Sequence, residues 1–147
     1  MTERELEPIG LLYQETAKVT AVFWEWRHKV MTLCFTGIGA LFVVAGWLYQ
    51  QGFSRLIAAS LLLGSIVSFV SLLLDLRTGG VLQECYKIGE DLELELRPNK
   101  VGIFSSLRKA HTGKGFTYTR GLQAVYFVVG GLLLLLSIGA VCYPVKK

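Results

Sequence analysis

The sequence is poor in the side chains that carry chemistry. Its 147 residues include only two histidines, three cysteines and three prolines. Neither His28 nor His111 completes a recognisable metal-ligand pattern, so no metal site is expected. The run Ala110-His111-Thr112-Gly113-Lys114-Gly115 has the flavour of a phosphate loop. It lacks the earlier glycine and the hydroxyl residue after the lysine that such a loop needs. No Gly-x-Ser-x-Gly elbow occurs. These absences predict a protein that is not an enzyme, with no catalytic residues and no cofactor. Acidic residues are also missing from a whole region: none occurs from Leu96 to the C-terminus.

Charge is absent from three long runs as well. Residues 30–49 carry none, residues 56–74 carry none between Arg55 and Asp75, and residues 121–145 carry none between Arg120 and Lys146. A helix needs about 20 apolar residues to cross a hydrocarbon layer roughly 30 Å thick. Soluble helices usually keep a polar face instead. The expected fold is therefore an all-α integral membrane protein. Its three transmembrane helices fall at about 30–49, 56–75 and 121–143, with amphipathic helices in the N-terminal segment and in the cytoplasmic loop. The whole is one membrane domain: 1–29 an amphipathic helix, 30–76 a hairpin, 77–120 a helix and basic loop, 121–147 the third span. The span centres hold only Ser, Thr and Gly rather than ionisable groups, which argues against a coupled transporter. The chain opens Met-Thr-Glu-Arg-Glu-Leu-Glu, unlike the basic start of a removable signal peptide, so the first span reads as a signal anchor.

Lysine and arginine give the orientation. Arg4, Lys18, Arg27 and Lys29 precede the first span, and eight more lie between spans two and three. These are Arg77, Lys87, Arg97, Lys100, Arg108, Lys109, Lys114 and Arg120. Twelve basic residues thus fall on one side, against Arg55, Lys146 and Lys147 on the other. The positive-inside rule places the N-terminus and the long loop in the cytoplasm and the C-terminus on the far side of the membrane. Trp24, Trp26, Trp47, Tyr49, Tyr118 and Tyr143 sit near span ends, where headgroups favour amphipathic rings. Cys34 and Cys142 fall within spans and Cys85 in the loop, so all three are read as reduced thiols, with Cys85 a small apolar filler.

Between the spans the patterns are amphipathic. Pro8 suits a first helical position, and Ile9, Leu12, Tyr13, Thr16, Val19, Thr20 and Phe23 follow at helical steps. Such a helix lies on the membrane surface or packs against the loop. Thr78-Gly79-Gly80 reads as a hinge. After it, Val81, Cys85, Ile88, Leu92 and Leu96 form a stripe on an otherwise acidic helix that Pro98 and Asn99 end. Lys100, Arg108, Lys109, Lys114 and Arg120 then make a basic segment with Ile103, Phe104 and Leu107 as its apolar patch. It is expected to meet anionic headgroups or a partner, each basic residue contributing about 1 kcal/mol near a charged surface. The alternative is that the acidic helix docks against it.

Residues 50–55 are too few for anything but an antiparallel hairpin, with Gly52 free to take a positive φ. Ser60, Gly64 and Ser68 recur every four residues on span two, and Thr32, Thr36 and Ala40 do so on span one. Small residues at this spacing let helices approach closely in lipid, so these are the expected packing faces, within the hairpin or in a homo-oligomer. Ser65, Ser68 and Ser71 form the most polar side of span two, with Asp75 one turn beyond. They are the expected pore lining and gate, or Asp75 is an interfacial pin paired with Arg27, Lys29 or Arg120.

The N-terminal helix, the cluster of Trp24, Trp26, Arg27 and Lys29, the tight hairpin and the charged cytoplasmic helix resemble the SLATT-type membrane effectors over residues 8–97. The third span with its basic approach departs from the two-span pattern of that group. The resemblance implies a small bacterial inner-membrane protein that oligomerises and perturbs the membrane or forms a pore in an anti-phage defence or stress system. A cytoplasmic protein partner or nucleotide signal would act on it, and no specific nucleic acid is expected. The alternative is a non-catalytic membrane anchor or accessory subunit that recruits a cytoplasmic partner.

The basic asymmetry makes a direct prediction. A reporter that needs the periplasm is active when fused after Lys147, whereas one inserted at Gly113 behaves as cytoplasmic. A cytoplasmic C-terminus would remove one of the three spans.

Overall fold

A computed structural model describes residues 3–96, 102–112 and 118–142. Among these the chain forms four α-helices: α1 (Glu3–Gln51), α2 (Ser54–Leu96), α3 (Ile103–Thr112) and α4 (Tyr118–Cys142). Three of them, α1, α2 and α4, are long and apolar enough to cross a membrane. The contacts divide the chain into two units. One, the polar unit, comprises Met1–Arg27 and Leu76–Gly121; the other, the apolar unit, comprises His28–Asp75 and Leu122–Lys147.

In the apolar unit α1 and α2 are joined by Gly52 and Phe53. Gly52 has φ of +77°, as the length of the link requires. Its N–H bonds Tyr49 O, and the Phe53 N–H reaches back to Leu48 O, the six-to-one bond of a Schellman end. The turn thus closes orphan carbonyls of α1 and starts α2 at once.

The core of this unit holds Cys34, Ile38, Ala45 and Leu48 of α1, Ile57 and Leu61 of α2, and Leu122, Tyr126 and Leu133 of α4. On the other faces Leu33, Val43, Ile66, Leu73 and Leu135 are exposed, a coat that a water-soluble monomer rarely presents. The packing face of α1 differs from expectation. Thr32, Thr36 and Ala40 are exposed, and the Thr32 hydroxyl bonds back to His28 O on its own helix. The buried side of α1 is instead that of Cys34, Ile38, Ala45 and Leu48.

The α2 face also packs in an unexpected direction. Ser65 donates to Gly130 O, Ser68 to Tyr126 O, and Ser137 to Ala58 O, each at 2.8 Å. These pairs run antiparallel and join α2 to α4, not α2 to α1. Each such bond between helices is worth about 0.6 kcal/mol in lipid. Gly64 and Gly130 permit the approach. A Cβ on Gly130 would lie 3.3 Å from the Phe69 ring and from Ser68 Cβ, and one on Gly64 would lie 3.2 Å from Leu133 Cδ1 of α4 and 3.5 Å from Leu41 Cδ1 of α1. Ser60 is half-buried and bonds Ile57 O within α2.

Two further expectations are corrected by the helices themselves. Thr78-Gly79-Gly80 is no hinge, because α2 runs through it without a break. Two glycines each cost a helix about 1 kcal/mol relative to alanine. Packing within the polar unit offsets that: Thr78 and Gly79 are buried, a Gly79 Cβ would touch Thr119 Cγ2 at 4.0 Å, and Leu82 and Tyr86 follow fully buried. Pro8 lies inside α1, not at its first position. Near the helix start, its missing N–H removes one bond only.

Gly64→Leu forces a branched side chain against Leu133 and Leu41, an overpacking cost of about 1–3 kcal/mol. The expected result is a lower unfolding temperature in detergent. Gly39→Leu, at a site with open space around it, is the control and leaves that temperature unchanged. Equal behaviour of the two variants would show that the Gly64 face is not a packed one.

Candidate functional site

The polar unit buries Thr20, Arg27, Thr78, Glu93 and Thr119. Its core begins with Leu82, Tyr86 and Phe104, against which Tyr13 and Phe23 of α1 pack. The N-terminal helix therefore packs against the loop helices, the second of its two expected placements. Tyr13 meets Phe104 edge-on, with ring centroids 5.4 Å apart.

Phe104 reaches this position through a glycine. A Cβ on Gly89 of α2 would sit 2.3 Å from Phe104 Cγ, so the ring occupies space that only a missing side chain leaves. Gly102 plays the same part for Glu93, whose carboxylate would lie 1.9 Å from a Cβ there. Glu93 is buried and accepts three hydrogen bonds. Phe104 N donates to Oε1 at 2.8 Å, Ser105 N donates to Oε2 at 3.2 Å, and the Tyr13 hydroxyl donates to Oε1 at 3.1 Å. A carboxylate at the first turn of α3 satisfies orphan N–H groups and complements the helix dipole. Arg108 of α3 pairs with Glu90 of α2. The docking of the acidic helix on the basic segment, read from the sequence as an alternative, is what the polar unit contains.

A second cluster surrounds Arg27, which is only 4% exposed. Its guanidinium carbon lies 5.6 Å from the Trp24 ring centroid and 5.7 Å from that of Tyr118, and Nη1 donates to Thr119 Oγ1 at 3.1 Å. Such cation–π contacts gain strength when the cation is removed from water. Trp24 Nε1 donates to the Tyr86 hydroxyl at 2.8 Å. Burial raises the Tyr86 phenol above its ordinary value, opposed by the Trp24 hydrogen bond and by the Arg27 charge. Trp24 and Tyr118, read from the sequence as interfacial rings, here enclose a cation of their own chain.

The expected pore residues are brought together, but turned inward. Ser65, Ser68, Ser71 and Asp75 are all buried. Ser65 and Ser68 are bonded to α4 carbonyls, and Asp75 accepts from Gln123 Nε2 at 3.2 Å. An aqueous path along this side of α2 is therefore not available in one copy, because α4 covers it. Of the expected headgroup or partner residues, Arg108, Lys109 and Arg120 are exposed, and Lys100 and Lys114 lie outside the described residues. Cys34 is buried, Cys85 half-buried and Cys142 exposed, all as free thiols. Among the described residues no group of three His, Cys, Asp or Glu side chains could hold a metal ion.

Glu93, Gly89 and Gly102 were not singled out by sequence. Glu93 is one of five acids between Val81 and Leu96, and nothing local separates the one that caps α3. The chain matches no protein family, no curated protein and no solved structure.

Glu93→Gln keeps the shape but loses one acceptor oxygen, leaving an N–H of α3 without its bond at a cost of about 1–3 kcal/mol. Amide exchange at Phe104 and Ser105 should accelerate at least several-fold, while the exposed Glu95→Gln leaves it unchanged. Gly89→Ala should have the same effect by expelling the Phe104 ring, and Gly80→Ala, which meets open space, should not. Unaltered exchange in Glu93→Gln would mean that α3 is held by other contacts.

Proposed function

We propose that the protein is a non-catalytic, membrane-embedded anchor that works through its polar unit. The three apolar helices cross the bacterial inner membrane, and residues 1–27 and 76–120 lie on the cytoplasmic side to recruit a protein partner. One observation carries this reading ahead of a pore: three of the four expected pore residues of α2, Ser65, Ser68 and Asp75, bond to α4. Ser65 and Ser68 donate to carbonyls, and Asp75 accepts from Gln123. Ion paths need polar groups that face water. The polar unit, by contrast, is built around buried polar contacts that fix the position of α3 and the aromatic cluster.

The membrane-perturbing effector keeps one specific support. Thr32 and Thr36 of α1 are exposed hydroxyl residues on an otherwise apolar surface. In an oligomer they could line a path or pack helices closely.

Induction at matched membrane levels separates the two. The anchor reading expects wild-type protein to leave membrane potential and growth unchanged, with its operon partners supplied. It expects Asp75→Asn to reduce the amount of folded protein without a change of potential. Depolarisation by the wild type, relieved by Thr32→Val with Thr36→Val, would reject the anchor in favour of the effector.

A further inference from the structure

Helix α3 is amphipathic, and its dock on α2 uses only part of its apolar side. Ile103 and Leu107 are four residues apart, Phe104 and Leu107 three, and Leu107 and Ala110 three. The four therefore share one side of the helix. Lys109 follows Leu107 by two residues and lies about 200° round from it, on the polar side with Ser105. Of the apolar four, only Phe104 is buried. Ile103 is 68% exposed, and Leu107 and Ala110 are exposed as well.

The dock is narrow. One ring fills the space left by Gly89, one carboxylate receives the N–H groups of Phe104 and Ser105, and Arg108 pairs with Glu90. A helix of ten residues is too short to persist alone in water, so α3 needs a surface to lie on. Elements held by few buried contacts open before the rest of a fold. The chain brings a second surface within reach. Only residues 113–117 separate Thr112 from Tyr118, where α4 begins. Five linking residues reach at most roughly 20 Å. With α4 crossing the membrane, the end of α3 stays within that distance of the bilayer surface. Charge favours the same surface: Arg97, Lys100, Arg108, Lys109, Lys114 and Arg120 occur in this stretch with no acid. An interfacial helix needs an apolar side to insert and basic residues to attract anionic headgroups.

We infer that α3 is a displaceable strap, which leaves the dock at Gly89 and Glu93 to lie on an anionic bilayer surface. There Ile103, Phe104, Leu107 and Ala110 insert together, and Lys109 faces water. The dock and the bilayer compete for the same ring, since each is anionic and each offers Phe104 an apolar place. Lipid is the occupant because the chain's own span holds α3 within reach of it. Release of α3 bares Gly89, Glu93 and Tyr13, so membrane contact and access to this side of the polar unit are coupled. The inference rests on the membrane-anchor reading and adds to it a control over when the partner surface is open.

The test uses the full chain with Cys85→Ser and Cys142→Ser, in nanodiscs of phosphatidylcholine alone or mixed equally with phosphatidylglycerol. A fluorescent dye is attached at Ile103→Cys, and spin-labelled lipid serves as its quencher. In the mixed discs the dye should be quenched. Amide exchange at Phe104 and Ser105 should quicken about threefold or more there, while exchange at Leu82 and Tyr86 stays slow. A dye at Lys109→Cys, on the opposite side, should be quenched far less. Glu93→Gln weakens the dock and should increase quenching at Ile103→Cys, and added salt should reduce it. Faster exchange without quenching would mean that α3 opens into water. Quenching without faster exchange would mean that the docked helix already touches lipid. Equal quenching at Ile103→Cys and Lys109→Cys would mean that no side of the helix is selected. Faster exchange at Leu82 and Tyr86 as well would mean that the whole polar unit unfolds. No response in the wild type, whatever Glu93→Gln does, would fix α3 in its dock. Each of these results would overturn the strap. None of them touches the anchor reading, which falls instead to depolarisation by the wild type.

Discussion

Backbone groups in an apolar medium have no water to bond, so any hydroxyl placed there must find an acceptor in the protein. A helical carbonyl already accepts its own i+4 N–H and keeps a second lone pair. Ser65, Ser68 and Ser137 use that lone pair across the α2–α4 contact. The bonds form only if the backbones come close, which Gly64 and Gly130 allow. Individually these bonds are weak. Their effect is to set a register, since sliding one helix along the other would leave several buried hydroxyls without acceptors at once. Small residues and serines on α2 are therefore one device, and α4 completes it.

In the polar unit the same demand is met by charge. Glu93 receives two backbone N–H groups of α3 and the Tyr13 hydroxyl, so one carboxylate ties together α1, α2 and α3. Arg27 is the counterpart on the aromatic side, held by Thr119 and flanked by Trp24 and Tyr118. Buried charges are costly unless several partners converge on them. Both groups have such partners, and both draw them from segments far apart in sequence. The long α2 stays helical through two glycines, and beyond them it supplies Tyr86, Gly89 and Glu93 to the polar unit.

The apolar runs and the Gly52 turn are readable in the sequence because length, absence of charge and a required positive φ are local properties. The rest depends on partners. Ser60, Gly64 and Ser68 are visible as a close-packing stripe, but the stripe does not say which helix it meets, and α4 takes most of it. Thr32, Thr36 and Ala40 carry the same spacing and stay exposed. Thr78-Gly79-Gly80 has the composition of a hinge, yet Leu82 and Tyr86 just beyond it bury enough surface to keep the helix going. Gly89 shows no local signal at all, since its reason is a phenylalanine 15 residues away.

Magnitudes decide what holds α3 in place. Burial of the Phe104 ring stabilises by roughly 1.5–3 kcal/mol. Hydrogen bonds to a charged acceptor such as Glu93 add about 1.5–3 kcal/mol each. The Arg108–Glu90 pair is half-exposed, and pairs of that kind contribute about 0–1 kcal/mol. Helix α3 is thus positioned by an apolar ring and a capped N-terminus, with its basic residues adding little. Lys109 adds still less, being exposed on the outer side. Folding of the polar unit accounts for Phe104, Gly89, Gly102 and Glu93, but not for a run of basic residues without a single acid. Helix α3 thus needs Lys109 little to fold, and that side chain is left exposed.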